Sequence, residues 1–95
     1  MNWGGTGMRL RVNFHGRVQG VGFRATARDI ATDAGVSGWV RNEADGSVMM
    51  QVQGEESAVA DTVLLIIERM GHHVRSHNEA RIAEVPGEAG MRIER

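Results

Sequence analysis

The segment that decides the fold of this chain joins a strand, a glycine-rich loop and a helix. Residues 10–35 read LRVNFHGRVQGVGFRATARDIATDAG. A half-buried strand is predicted from residue 10, because the apolar residues Leu10, Val12 and Phe14 alternate with polar residues. From Phe23 the apolar residues recur with helical spacing, and Gly35 stands where a helix usually ends. The chain therefore passes from strand to helix through the glycine-rich loop, residues 16–22.

Two further strands and a second helix follow. The sequence pattern predicts strands at residues 36–42 and 48–54. The segment between them contains Ala44-Asp45-Gly46, which is typical of a hairpin turn. The second helix is predicted to begin near Glu55, because acidic side chains favour a helix N-terminus. Its buried face is predicted to be an apolar stripe that comprises Val59, Val63, Ile66, Ile67 and Met70.

The C-terminal quarter has a weaker pattern. Residues 71–79 are polar and predict a loop, residues 80–85 predict a strand, and Met91 and Ile93 alternate in a short final strand. The order β-α-β-β-α-β predicts an α+β protein with the ferredoxin-like arrangement. We therefore expect a four-stranded antiparallel sheet, a short extra terminal strand, and two helices on one face.

Length and composition favour one small domain. The chain has 95 residues, no cysteine and a formal net charge of −1. We expect residues 1–7 to be a flexible tail, without the features of a secretory signal, and residues 8–95 to form the domain. The absence of cysteine excludes disulfides and fits a reducing cytoplasm. Near-neutral charge disfavours a nucleic-acid surface, and no apolar run is long enough to span a membrane. A cytoplasmic monomer is expected.

The glycine-rich loop predicts a site for an anion. Its glycines allow the backbone to curl closely around a ligand, so that successive N–H groups converge on it. Arg24 lies in the first turn of the predicted helix, where a cation opposes the helix dipole unless an anion lies nearby. A guanidinium can hold two phosphate oxygens at once. The alternative is a tight turn with a solvated arginine, and the residues alone do not decide between the two.

Asn42 is a second candidate, at the end of the second strand and beside the hairpin turn. A carboxamide donates and accepts hydrogen bonds, so Asn42 can orient a water molecule for attack. The alternative is an asparagine that bonds its own turn, which is the commoner role of such a residue.

Both segments resemble the two signatures of the acylphosphatase family. The first signature runs through residues 16–24, GRVQGVGFR, and the second matches GWVRN at residues 38–42, followed by GSV at residues 46–48 and by Gly54. Enzymes of this family hydrolyse acyl phosphates to a carboxylate and inorganic phosphate. They use no metal, no cofactor and no covalent intermediate. The resemblance therefore implies this activity, a small-molecule acyl phosphate as substrate, and the ferredoxin-like fold.

The resemblance also implies residue roles. Arg24 would be the phosphate-binding catalytic arginine, and Asn42 would orient the attacking water. The main chain of five consecutive residues would form the phosphate cradle: Gln19, Gly20, Val21, Gly22 and Phe23. His15 is the nearest candidate for a general base, but we interpret it as an exposed strand residue. In the family, the phosphate of the substrate is thought to take the proton of the water.

The sequence also has features of other classes of protein. Acylphosphatase-like domains also occur at the start of larger carbamoyl-transfer proteins, so a non-catalytic module that binds acyl or carbamoyl phosphate is the alternative function. RNA-binding domains share the element order, but they stack bases on aromatic residues that project outward from the two central strands, and the outward positions here hold no aromatic residue. His73 and His77 have a metal-ligand spacing only within a helix, so we interpret residues 72–77 as a loop and expect no metal.

Overall fold

A computed structural model of the protein describes residues 7–95, which form five strands and two helices. In chain order these are β1 (Gly7–Gly16), α1 (Phe23–Ala34), β2 (Ser37–Asn42), β3 (Val48–Glu55), α2 (Glu56–Arg69), β4 (Val74–Ile82) and β5 (Met91–Ile93). The strands form one sheet in the order β4-β1-β3-β2-β5. All neighbours pair antiparallel except β5, which pairs parallel with β2.

The predicted ferredoxin-like α+β fold is confirmed, and β5 is the predicted extra terminal strand. Both helices have the predicted bounds to within a residue, and Gly35 ends α1 in the left-handed conformation with φ 74°. The predicted tail, residues 1–7, falls mostly outside the described residues. Its last residue, Gly7, is the first residue of β1, and the tail itself stays a prediction.

The core lies between one face of the sheet and the two helices. Alternate residues of the central strands are buried there, including Val12 and Phe14 of β1 and Met50 of β3. The Phe14 ring packs against the ring of Phe23, the first residue of α1, with 4.9 Å between centroids. This contact fixes the start of α1 against β1, and so it fixes both ends of the glycine-rich loop. Within residues 7–95, no helix is long and apolar enough to cross a membrane.

Three strands end at the same edge of the sheet. Because β1 and β2 are both antiparallel to β3, they run in the same direction, and β5 runs with them. The glycine-rich loop follows β1, the hairpin turn (residues 43–47) follows β2, and Glu94 follows β5. Side chains and main chain from three distant parts of the sequence therefore meet at this edge.

The prediction for the C-terminal quarter was wrong in one place. Residues 74–79 were expected in a loop and residues 80–85 in a strand, whereas β4 spans Val74–Ile82 and pairs with β1 along its length. As an edge strand, β4 is polar and mostly exposed on both faces, so it lacks the alternation that marks β1. His77 therefore lies in a strand, where its ring stacks 6.3 Å from that of Phe14, and His73 lies in the turn before it.

Gly16 is required by close packing between this turn and the start of the glycine-rich loop. Its φ is 131°, and a Cβ there would collide with the main-chain carbonyl of His73. The N–H of the next residue, Arg17, donates to that same carbonyl oxygen at 2.9 Å. The first glycine of the signature thus serves the fold by letting two segments approach.

At the opposite end of β1, the segment between β4 and β5 (residues 83–90) covers part of the other sheet face. The Arg9 side chain, only 2% exposed, donates from Nη1 to Oε1 of Glu88 at 2.7 Å and also bonds the carboxamide oxygens of Gln51 and Gln53. Burial alone would raise the pKa of Glu88, but hydrogen bonds from Arg9 and Ser37 outweigh it and lower that pKa. This covered pair is a fully bonded polar network.

Candidate active site

A cavity of about 190 Å³ opens at the edge where β1, β2 and β5 end. It lies between the glycine-rich loop, the first turn of α1 and the last residues of β2 and β5. The residues that line it are Val18, Gly20, Gly22, Phe23, Arg24, Ala25, Asn42 and Ile93. Five of the seven residues predicted for the site are therefore brought together here. Gln19 and Val21 are not among the lining residues.

The loop backbone takes a conformation that only glycine adopts easily. Gly20 and Gly22 have φ values of 78° and 79°, in the left-handed region. Among residues 7–95, no atom lies within 4 Å of the position that a Cβ on either residue would take, so backbone conformation rather than crowding requires glycine at both. Gly22 is also the N-cap of α1, and no side chain in the described part of the chain caps this helix.

The main-chain N–H groups of this segment remain available to a ligand. Within residues 7–95, no acceptor is bonded to the N–H groups of residues 20–24. The first N–H groups of a helix have no partner inside it, and together they carry a partial positive charge. Uncapped donors beside a cavity favour an anion over a neutral ligand.

Arg24 adds a full positive charge at the same place. It is half-buried in the first turn of α1, a turn without acidic residues. Its Nη1 donates a long hydrogen bond of 3.4 Å to the main-chain carbonyl oxygen of Glu94. Among the residues that the structure describes, no carboxylate forms an ion pair with Arg24. The helix dipole and the guanidinium therefore repel each other until an anion lies between them.

Asn42 is the last residue of β2 and lines the same cavity as Arg24. It is half-buried and pairs with Val48 on β3. Within residues 7–95 its carboxamide makes no hydrogen bond. The hairpin turn is tied by Asp45 instead, whose carboxylate accepts from the main-chain N of Ser47 at 2.9 Å and from its Oγ at 2.6 Å. Asn42 therefore does not bond its own turn and keeps both functions of its amide.

The hydrogen bonds from Ser47 to Asp45 also have an electrostatic consequence. The bond from the Ser47 hydroxyl, and then the one from its main-chain N–H, lower the pKa of the Asp45 carboxyl. Asp45 therefore stabilises the turn as a charged carboxylate. This carboxylate is bonded to Ser47 of the turn and is not part of the cavity lining.

Other titratable candidates lie outside the cavity. His15 is bonded through Nε2 to the Asn78 carboxamide oxygen at 3.1 Å and does not line the cavity. Across residues 7–95, no three histidine, aspartate or glutamate side chains come together in a group that could hold a metal ion. What the described residues place at the cavity is one cation, one carboxamide and main-chain donors.

Four contributions to the site were not predicted from the sequence. Val18 is buried beneath the loop, and Ile93 of β5 forms part of the cavity wall. The carbonyl of Glu94 orients Arg24. The side chain of Gln19, assigned only a main-chain role, bonds the hairpin turn. Nothing in the local sequence indicated these contacts, because each depends on long-range strand pairing.

Comparison with known proteins identifies the family. The family model described as Acylphosphatase matches residues 10–92. This chain belongs to the acylphosphatase family. The match includes both signature segments and every residue that lines the cavity except Ile93. The predicted resemblance is thereby confirmed.

Individual relatives agree with this assignment. A protein named acylphosphatase from Rhizobium etli is 54% identical over 61 residues, which are 64% of this chain and 61% of that relative. This chain therefore spans less than two thirds of the length of that relative. An acylphosphatase from Thiobacillus denitrificans is 43% identical over 79 residues, which are 83% of this chain and 86% of the relative.

A solved acylphosphatase shares the whole fold. The crystal structure of acylphosphatase from Bacillus subtilis superposes with a TM-score of 0.83 at 27% identity. The superposition covers 93% of this chain and 99% of the other. The acylphosphatase fold thus includes the C-terminal quarter, where the sequence pattern was weakest.

Proposed function

We propose that this protein hydrolyses the carboxyl-phosphate bond of acyl phosphates and releases a carboxylate and inorganic phosphate. The observation that carries the proposal is the position of Arg24. A half-buried cation without a paired carboxylate in residues 7–95 lies beside a cavity bordered by uncapped main-chain donors. This arrangement favours a dianionic group such as phosphate, which can accept several charge-assisted hydrogen bonds at once.

The proposed mechanism divides the work between two parts of the cavity. Arg24 and the N–H groups of residues 19–23 bind the three non-bridging phosphoryl oxygens and stabilise their charge as the bond to the acyl oxygen loosens. Asn42 accepts from the attacking water and orients it toward phosphorus. The water oxygen bonds to phosphorus, the acyl oxygen leaves as carboxylate, and the water proton passes to a phosphate oxygen.

This division fits the chemistry of the substrate. A carboxylate is a good leaving group and needs no protonation to depart. Positioning and charge stabilisation can then supply the acceleration, and such electrostatic effects are large in partly desolvated sites. Among residues 7–95, those that line the cavity include no histidine and no acidic residue, which matches a reaction in which the protein provides no general base.

We further propose a cytoplasmic monomer that acts on a small-molecule acyl phosphate and binds neither nucleic acid nor membrane. The cavity of about 190 Å³ suits a small substrate. The cysteine-free composition fits a reducing compartment, and a formal net charge of −1 disfavours binding to polyanions.

The decisive experiment is an assay of the purified protein with benzoyl phosphate in the presence of a metal chelator. We expect catalysed release of phosphate that does not change with chelator, because Arg24 and main-chain donors carry the charge. Loss of activity on chelation would reject the metal-free mechanism. Stabilisation by phosphate without any turnover would support the alternative, a module that binds acyl or carbamoyl phosphate.

A further inference from the structure

The two parts of the proposed site come from separate segments of the chain. The distance between them therefore depends on contacts that join these segments. Arg24 and the phosphate cradle belong to the glycine-rich loop and α1, whereas Asn42 belongs to β2. β1 and β2 are not neighbours in the sheet, because β3 lies between them. The loop itself has no helix or strand over residues 17–22, and among residues 7–95 no atom lies within 4 Å of where a Cβ on Gly20 or Gly22 would be. Strand pairing and the contacts at the two ends of the loop do not themselves join the middle of the loop to the segment that carries Asn42.

The side chain of Gln19 bridges this gap. Its Nε2 donates to the carbonyl oxygen of Glu43 at 2.8 Å and to that of Ser47 at 2.9 Å. A primary amide has two N–H groups on that nitrogen, so both donors are used. Glu43 directly follows Asn42 in the chain, and the two acceptors are the first and last residues of the hairpin turn. The half-buried carboxamide therefore spans the mouth of the turn.

The turn to which Gln19 is bonded is itself well tied. The N–H of Glu43 donates to the Ser47 carbonyl at 2.8 Å, and the Asp45 carboxylate holds Ser47 through two hydrogen bonds. Ser47 is 3% exposed, so this anchor is shielded from water. Because these hydrogen bonds hold the turn in one conformation, the bonds from Gln19 fix the position of the loop relative to the turn.

We propose that Gln19 is a positioning residue that sets the distance between the phosphate cradle and the water held by Asn42. This inference rests on the proposed function. In-line attack requires the reacting atoms at about 3–3.5 Å, and a misplacement of about 1 Å can cost 100-fold in rate. Phosphate binding needs only Arg24 and the adjacent N–H groups. Loss of the Gln19 bonds therefore affects turnover far more than phosphate affinity.

Gln19→Met tests this role, because methionine has a similar length and donates no hydrogen bond. We expect kcat for benzoyl phosphate to fall about tenfold to 100-fold. The inhibition constant of inorganic phosphate should stay within about twofold of wild type. Gln19→Asn, which keeps the amide but is one methylene too short to reach both carbonyls, should lower kcat in the same way and preserve the polar loop.

Gln53→Met provides the matched control. Gln53 also bonds main chain on a distant segment, since it donates to the Val85 carbonyl at 2.9 Å and accepts from its N–H at 2.7 Å. Its loss should lower thermal stability but leave kcat and phosphate inhibition unchanged. A generally structural role for Gln19 would instead give the pattern of the control.

The outcomes separate this inference from the proposed function. If wild type turns over benzoyl phosphate and both Gln19 variants keep its kcat, the positioning role is wrong and the function stands. If both Gln19 variants lose phosphate binding in proportion to kcat, the Gln19 side chain supports phosphate binding itself and the positioning role is again wrong. Absence of turnover in folded wild type would reject the proposed function itself.

Discussion

Two arginines at opposite ends of the sheet differ in how their charge is compensated. Arg9 is 2% exposed and is bonded to Glu88 and to two glutamine carboxamides. Arg24 is half-buried, and within residues 7–95 it has one long bond to a main-chain carbonyl and no ion pair with a carboxylate. The two arginines therefore differ in role because only Arg9 is paired with a carboxylate among the described residues. An arginine whose charge is neutralised stabilises the fold, whereas an arginine without a paired carboxylate, next to free main-chain N–H groups, favours the binding of an anion.

The largest expected effect is at Arg24. Arg24→Ala should lower kcat/KM for benzoyl phosphate by about 10³-fold or more, because it removes a bidentate cation from the charge that develops in the transition state. Inhibition by phosphate should be lost as well. The protein should remain folded, since Arg24 contributes little to the described hydrogen bonds.

Arg28→Ala is the control for this change, because Arg28 lies one turn further along α1 and pairs with exposed Asp29. Its kinetics should match wild type. Equal losses in the two variants would mean that general positive charge on α1, rather than the position of Arg24, governs activity.

A smaller loss is expected for Asn42→Ala. Removal of a single orienting amide typically costs about 10²–10³ in rate. We expect kcat to fall by about 10²-fold while phosphate still inhibits with its wild-type constant, since Arg24 and the loop remain. Asn78→Ala, at a strand asparagine outside the cavity lining, should change neither quantity. An Asn42→Ala variant with wild-type turnover would remove the water-orienting role.

The smallest effect is expected on stability at the other end of the sheet. Glu88→Gln should lower the free energy of unfolding at pH 7 by about 2 kcal/mol, because it leaves buried Arg9 without its counter-charge. Activity should not change. Glu56→Gln is the control, since its pair with Arg81 is exposed and contributes at most about 1 kcal/mol. Urea unfolding of the three proteins provides the measurement.

The pH dependence of that difference has a definite sign. The pKa of Glu88 is lowered in the folded protein, so its pair stabilises the fold above the ordinary titration range of glutamate, about pH 4.3. As the pH falls through the folded pKa, Glu88 is protonated and wild type should approach Glu88→Gln in stability. A difference that persists undiminished at pH well below that pKa would assign the stabilisation to packing.

The N-terminal half of the fold could be predicted from sequence because its elements are locally encoded. β1, α1, β2 and β3 each carry their own period, and Gly35 and the turn at Asp45 mark boundaries where backbone geometry demands these residue types. β4 could not be predicted in this way. Its residues are polar on both faces, and its extended conformation comes from main-chain pairing with β1, which no local pattern reports.

The residues of the candidate site differ in the same way: some are indicated by the local sequence and others depend on long-range pairing. Arg24 was identified because a cation in a first helical turn opposes the helix dipole, and Asn42 because a carboxamide at a strand end can orient a water molecule. The residues alone left alternatives open for both, and the family resemblance gave them roles. Ile93, the Glu94 carbonyl and the bonds of the Gln19 side chain were not, because they depend on which strands meet at one edge. Their roles, like those of Arg24 and Asn42, stay predictions until the variants are measured.

The parallel pairing of β5 with β2 has a consequence for how the protein matures. The N–H of Glu94 donates to the Val40 carbonyl at 2.9 Å, so the carbonyl that orients Arg24 arrives only when the last strand joins the sheet. Contacts this distant along the chain form late and slowly in folding. During folding, the pocket would therefore be completed only when β5 pairs with β2, because this step brings Ile93 and the Glu94 carbonyl to the glycine-rich loop.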